Sequence, residues 1–265
     1  MVHRHDLSST IAMTTTATNG SPRAFVAGAT GYVGRHVVHA LRARGFEVHA
    51  HVRPDSTALV RWRTTFEHAG ATTDTTPWTA EAMRATLARI APSHVFALLG
   101  TTRRRMRASA TAGHDESYQS VDYGLTHLLL EATRRAAPGA RFIYLSAVGV
   151  SPGVRNPYLA ARARVEAELA ASTLSHLIAQ PAYITGDDRE EARPVERFVA
   201  TALDAVMALL DRIGLDALAG RYRTLTGPEV ASGLVQLATV PTVAPVIVDA
   251  RALRIAAGGP VTLYR

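Results

Sequence analysis

The sequence contains no cysteine, and all 29 of its Lys and Arg positions are arginine. Without cysteine there is no disulfide framework and no thiolate metal site, and nothing calls for an oxidising compartment. Without lysine, no ammonium group can stand beside a reacting centre, and guanidinium is the only permanent side-chain cation. No apolar run is long enough to cross a bilayer, so no membrane partner is expected. The histidines show no H-x-x-x-H or comparable spacing on a predicted helix. His36 and His39 read as helix-surface residues, and no metal is expected.

What is present is ample apolar material. With 265 residues, 47% of them hydrophobic, the chain can bury a sizeable core and reads as a single domain. The formal charge is +7, with one dense basic cluster at Arg103, Arg104, Arg105 and Arg107, read as a solvated loop, with binding of an anionic substrate or partner as the alternative. The Ala/Arg/Thr-rich composition points to a GC-rich genome more than to a nucleic-acid binder, and no nucleic-acid partner is expected. The opening MVHRHDLSSTIAMTTTATNG is Ser/Thr-rich and lacks the apolar centre of a secretory signal. Residues 1–22 are therefore expected to form a disordered leader, with Met13 as an alternative start, and residues 23–265 the domain, placed in the cytoplasm as a monomer or homodimer.

The first motif is RAFVAGATGYVGRHVVHALRARGFEVHAHVR, residues 23–53. Ala24 to Ala27 is a short apolar strand, and Gly28, Gly31 and Gly34 follow at G-x-x-G-x-x-G spacing. Val33, Val37, Val38 and Leu41 then fall at helical spacing, Gly45 ends the helix, and a second strand runs to Val52. In such a unit one glycine permits the tight turn, one lets backbone approach a pyrophosphate, and one lets helix pack close to strand. The helix start offers amides to phosphate oxygens. Gly28, Thr30, Gly31, Tyr32, Val33 and Gly34 are thus the candidate dinucleotide-phosphate site.

The end of the second strand bears on which dinucleotide. An acidic residue there would accept the ribose 2′-OH of NAD, but the sequence is HAHVRP, with no acid before Asp55. Arg53 can instead pair with a 2′-phosphate, with Arg35 as a candidate helper, which favours NADP(H) over NAD(H). The alternative for Arg53 is a solvated loop residue.

Further along, the pattern predicts a polar stretch over 55–80, a helix over 80–90, a strand from His94 ending at Gly100, Thr101 and Thr102, and a long helix over 117–136. A strand over 141–145 ends at Ser146, a helix follows over 157–172, and a strand over 177–179 leads to Pro181. Alternating apolar strands and helical crossovers predict an α/β fold with a doubly wound parallel sheet. A charged loop over 187–194, a helix over 195–218 and a β-like segment near 243–248 are read as a small, mainly helical C-terminal substrate lid over 187–265.

The segments VAGATGYVGRHVV, ALLGTT, SYQSVDYGLTHLLLEATRRA, FIYLSAVGV, NPYLAARARVEAEL and QPAYITGDDREEARPVE together resemble the atypical short-chain dehydrogenase/reductases over about residues 24–200. The likeness implies a Rossmann-like fold, a nicotinamide dinucleotide cofactor and a small-molecule substrate. Gly100, Thr101 and Thr102, just after a strand end, are candidates to face the cofactor ribose, with a plain turn as the alternative, and Pro181 is a further candidate cofactor residue. In that family a Y-x-x-x-K pair supplies the proton donor and its cationic partner, and a serine orients the substrate. Here the matching residues are Tyr158, Arg162 in place of lysine, and Ser146, or Ala147 if the register shifts by one.

Three readings of Tyr158 fit the sequence: a catalytic acid with Arg162 as modified partner, a cofactor-pocket residue without chemistry, or a helix-surface tyrosine. Three functions follow. The first is an NADPH-dependent reductase of carbonyl or conjugated small molecules. The second is a non-catalytic NADP(H)-binding regulatory or assembly protein, and the third an epimerase or dehydratase.

Overall fold

The computed structural model describes residues 20–111, 113–185, 224–241 and 245–258; most of the expected leader, the charged loop over 187–194 and the helix over 195–218 lie outside them. The first strand-helix-strand unit is β1 (Arg23–Ala27), α1 (Tyr32–Ala43) and β2 (Glu47–His51). Then come α2 (Leu59–His68), β3 (Thr72–Asp74), α3 (Ala80–Ile90), β4 (His94–Ala97), α4 (Arg103–Thr111), a π-helical segment (Tyr118–Leu125) continuing into α5 (Thr126–Ala136), β5 (Arg141–Leu145), α6 (Pro157–Ala171) and β6 (His176–Gln180). A two-stranded parallel pair, β7 (Ile184–Thr185) and β8 (Leu225–Thr226), precedes α7 (Gly227–Thr239), β9 (Val246–Asp249) and α8 (Ala250–Ala257).

Seven strands form one parallel sheet in the order β3-β2-β1-β4-β5-β6-β9. Chain order reverses between β1 and β4, the switch point beside which ligands bind in open α/β sheets. The strands are apolar on both faces because both faces are covered. Ala24, Val26 and Phe96 point into a core shared with α1, α2, α7 and α8. Phe25, Ala27, Val95 and Ala97 point the other way, against α3, α5 and α6. Residues such as Leu41, Leu87 and Leu169 are fully buried, each side chain contributing about 1.5–3 kcal/mol on transfer from water.

The stretch expected to be polar over 55–80 contains α2 and β3. Only Trp62 and Phe66, one helical turn apart, bury from α2, and β3 is three residues without an aliphatic side chain. Neither leaves a run of apolar periodicity. The arginine cluster expected in a loop forms α4, which buries nothing. Its start is fixed by Thr102, whose Oγ1 accepts the Arg105 N–H at 3.2 Å, an N-cap that offsets the missing apolar face.

The C-terminal residues that are described build the body of the fold. In α7, Thr226 and Glu229 form a capping box, and Val230, Leu234 and Val235 bury in the same core as α1. The expected β-like segment is β9, paired with β6 from Leu177↔Val246 to Gln180↔Asp249. These residues extend the sheet and cover one face of it instead of forming a lid; the rest of the segment expected as the lid lies outside the described residues.

Candidate functional site

Beyond the carboxyl ends of β1, β4 and β5 lies a cleft of about 340 Å³. Its floor is the glycine turn. Gly28 has φ +81°, and a Cβ there would stand 2.5 Å from the Leu98 carbonyl oxygen; a Cβ on Gly34 would stand 2.1 Å from the Gly28 carbonyl oxygen. The first requirement is conformational and steric, the second purely steric, since α1 must press against the turn. Gly31 is the N-cap of α1 and contributes no side-chain cap, so the helix start faces the cleft with its amide dipoles and no competing hydroxyl.

Thr30, Gly31, Tyr32, Val33, Gly34, Gly100, Thr101, Thr102, Ser146, Tyr158, Arg162 and Pro181, all singled out in the sequence, line this one cleft. Gly28 and Arg53 line an adjoining lobe of about 100 Å³, with which the cleft shares Thr30, Gly31, Leu98, Leu99, Gly100 and Arg105. The two lobes meet across the glycine turn, giving an elongated site. Within it the Thr101 hydroxyl is buried without a hydrogen-bond partner. An open helix start, a turn that excludes side chains and an orphaned buried hydroxyl fit a ligand with a diphosphate and ribose hydroxyls, so a nicotinamide dinucleotide suits the residues present.

The Tyr158 helix is placed by its own cap: Asn156 Oδ1 accepts the amides of Tyr158 and Leu159 at 3.0 and 3.2 Å, with Pro157 in the first turn. Tyr158 and Arg162 share a face, as the i, i+4 spacing requires. The guanidinium carbon of Arg162 lies 4.6 Å from the Tyr158 ring centroid, and the Tyr118 ring meets Tyr158 edge-on at 5.3 Å. Arg162 itself is turned inward. Its Nη2 donates to Asp122 Oδ1 at 2.9 Å, its Nη1 donates to the Leu145 carbonyl, and its side chain is 7% exposed.

Asp122 is a site residue the sequence reading passed over. Its second oxygen accepts the Thr101 amide at 2.9 Å, so one carboxylate ties the end of β4 to α6. It sits in the π-helical segment, where the widened turn is often found at functional sites. Burial pushes the Asp122 carboxyl above its usual range, with Arg162 and the Thr101 amide pulling against it. No apolar spacing in SYQSVDYGL marks Asp122, since Gln119, Leu125 and Thr126 share its side of the helix.

Ser146 is buried at the end of β5, and its Oγ donates to Glu166, whose two oxygens also accept Gln180 Nε2 at 3.0 Å each. A hydroxyl that gives its single proton to a carboxylate presents only lone pairs to the cleft. Glu166 was also passed over; it lies one turn beyond Arg162 on the Tyr158 face.

Tyr32 serves structure as well as the cleft: its OH donates to the Thr185 carbonyl at 3.1 Å and accepts the Gly227 amide at 3.3 Å, joining α1 to β7 and α7. Arg35 lines the large cleft, whereas Arg53 lines the smaller lobe, so Arg105 of α4 and not Arg35 is the arginine that lines Arg53's lobe.

A sequence profile of the family described as NAD(P)H-binding matches residues 28–203. No curated protein matches the chain. Among solved structures, a putative epimerase from Burkholderia cenocepacia aligns with TM-score 0.58 and 21% identity, over 91% of this chain and 84% of that one. A single-residue variant of actinorhodin polyketide ketoreductase, solved with NADPH, aligns with TM-score 0.58 and 17% identity, over 88% and 97%. The UDP-glucose 4-epimerase of Thermus thermophilus in complex with NAD aligns with TM-score 0.58 and 16% identity, over 89% and 82%. At these identities the likeness is one of fold. With the profile spanning the glycine turn through α6 and beyond, the chain belongs to the NAD(P)H-binding family of Rossmann-fold proteins akin to the atypical short-chain dehydrogenase/reductases.

Proposed function

We propose that this protein is an NADP(H)-dependent reductase of a carbonyl or conjugated small molecule, with Tyr158 as proton donor. The observation that carries the proposal is the Arg162 guanidinium held against the Tyr158 ring, 4.6 Å from its centroid, in the cleft that also holds the glycine turn. A nicotinamide cofactor, when bound, supplies the hydride. Gly31 and the start of α1 would hold its diphosphate, and Thr101 its ribose hydroxyls. A fixed cation on the ring face offsets the charge that develops on the phenol oxygen as its proton leaves, the service lysine performs elsewhere by a different geometry. Ser146, its proton on Glu166, accepts a hydrogen bond and does not give one, which leaves Tyr158 as the donor to a substrate oxygen.

Support for NADP(H) over NAD(H) is Arg53 at the end of β2, joined in its lobe by Arg105 and by no acid within β2 beyond Glu47 at its start. The test is titration with NADPH and NADH, then absorbance of the reduced nicotinamide in the presence of aldehydes, ketones and quinones. Tyr158→Phe is expected to keep cofactor binding and lose roughly 10²- to 10⁴-fold in turnover. Full activity in that variant removes Tyr158 from the mechanism.

A second reading, a non-catalytic NADP(H)-binding regulatory or assembly protein, is favoured by one observation: Arg162 directs both terminal nitrogens to structural partners, Asp122 and Leu145. Tight NADPH binding with no oxidation across the panel is the result that supports it.

A further inference from the structure

Arg53, just past the end of β2, and Arg105, in the first turn of α4, come from different crossovers, yet both reach the same carboxylate. Glu116 Oε1 accepts Arg53 Nη1 at 2.6 Å, and Glu116 Oε2 lies 3.3 Å from Arg105 Nη2. The acid is the more deeply set of the three, its side chain 12% exposed against 40% and 48% for the arginines. Partial burial works against this carboxylate, but the two guanidinium groups hold it below the usual range.

The bridge stands between two spaces. Arg53, Trp78 and Val121 line both the lobe beside Gly28 and Gly31 and an outer cavity of about 340 Å³ to which Glu116 contributes. An anion bridging two half-exposed arginines beside the glycine turn stands where a phosphate monoester on the adenosine ribose would seek those same donors. Glu116 also lies in the non-helical segment between α4 and the π-helix, so its side chain can leave without unwinding an element.

We infer that Glu116 is a built-in counter-anion occupying the two-arginine seat of the cofactor 2′-phosphate, and that displacing it is the step that sets the choice between NADP(H) and NAD(H). The inference rests on the dinucleotide site proposed above. A 2′-phosphate carries more charge and more acceptor oxygens than a carboxylate, so it can exchange for Glu116, but its net gain is reduced by the ion pairs it breaks. A ribose carrying a free 2′-OH displaces nothing and can donate to Glu116 where it stands. Glu116 therefore narrows the advantage that Arg53 and Arg105 give NADP(H), a role that the residues of β2 alone do not reveal.

The experiment is calorimetric titration of NADPH and NADH into the full chain and its variants, with thermal unfolding to confirm that each is folded. Glu116→Gln is expected to tighten NADPH about tenfold while NADH stays the same or weakens, so the affinity ratio moves toward NADPH. Adding Arg53→Gln to that variant is expected to erase the gain, because Glu116 acts through the arginine. Asp55→Asn serves as the charge control: its carboxylate is 76% exposed and 3.9 Å from Arg53 Nε, so the ratio is expected to move far less.

An unchanged ratio in Glu116→Gln, or a weaker NADPH, overturns the inference and makes Glu116 a residue that orients the arginines. An equal shift in Asp55→Asn overturns it too, since general charge then suffices. If the wild type binds NADH alone and Glu116→Gln admits NADPH, the inference stands and the NADP(H) preference falls. If neither the wild type nor Glu116→Gln binds either dinucleotide, the cofactor site itself is wrong and the inference goes with it.

Discussion

Arg162 and Asp122 form an ion pair at 2.9 Å in which the aspartate side chain is fully buried and the arginine 7% exposed. The pair joins α6 to the π-helical segment, and through the Thr101 amide and the Leu145 carbonyl it reaches the ends of β4 and β5. Both side walls of the cleft are thus fixed by one guanidinium and one carboxylate. Lysine cannot reproduce this, because a compact ammonium lacks the planar fork that serves two acceptors in different directions.

Removing one partner of that pair leaves the other charge buried. Asp122→Leu is expected to destabilise the fold by about 3–5 kcal/mol, read as a lower midpoint in chemical denaturation. A loss under about 1 kcal/mol would mean that the pair is no more than a surface contact.

Arg162→Lys keeps the charge but not the fork. The variant is expected to lose the Leu145 contact and about 1.5–3 kcal/mol of stability, while the reduced-nicotinamide assay retains measurable turnover if charge beside Tyr158 is what matters. Arg162→Met, with no charge, is expected to lose turnover as well; equal turnover in the two variants would exclude an electrostatic role.

Gly34→Ala places a methyl group 2.1 Å from the Gly28 carbonyl oxygen, a contact that only movement of α1 can relieve. Loss of dinucleotide binding by at least about tenfold is expected by calorimetry, with a lowered unfolding temperature. Unchanged affinity would show that the turn is not the phosphate seat.

Acid is expected to weaken the fold through two histidines. Burial lowers the pKa of His51 and of His94 from the ordinary 6.5, with the Thr76 and Ala238 carbonyls offsetting it in part. The unfolded chain then binds more protons than the folded one just below about pH 6.5, so stability is present above that value and is lost as pH falls through the folded values. Unfolding temperature measured from about pH 8 to pH 5 is expected to drop below about pH 6.5, and a flat profile would contradict it.

The glycine turn was readable in the chain because its demands are local: strand, three glycines and helix follow one another within residues 23–44. The helix of Tyr158 was readable for the same reason, with Asn156 and Pro157 marking its start. The helix α4 was not, since no side chain on it is buried and apolar spacing is the signal that finds helices. The capping box Thr226-Gly-Pro-Glu229 did stand in the sequence and marks the start of α7.

Sequence alone determined the alternation of strands and helices, the dinucleotide turn and the absence of lysine, because each depends on residue type and spacing along the chain. Only the tertiary structure decided where charges separated by dozens of residues come to rest. Asp122 meets Arg162 across 40 residues and Glu116 meets Arg53 across 63. Such pairings are set by how parallel crossovers stack on the sheet, a geometry that no local pattern of the chain encodes.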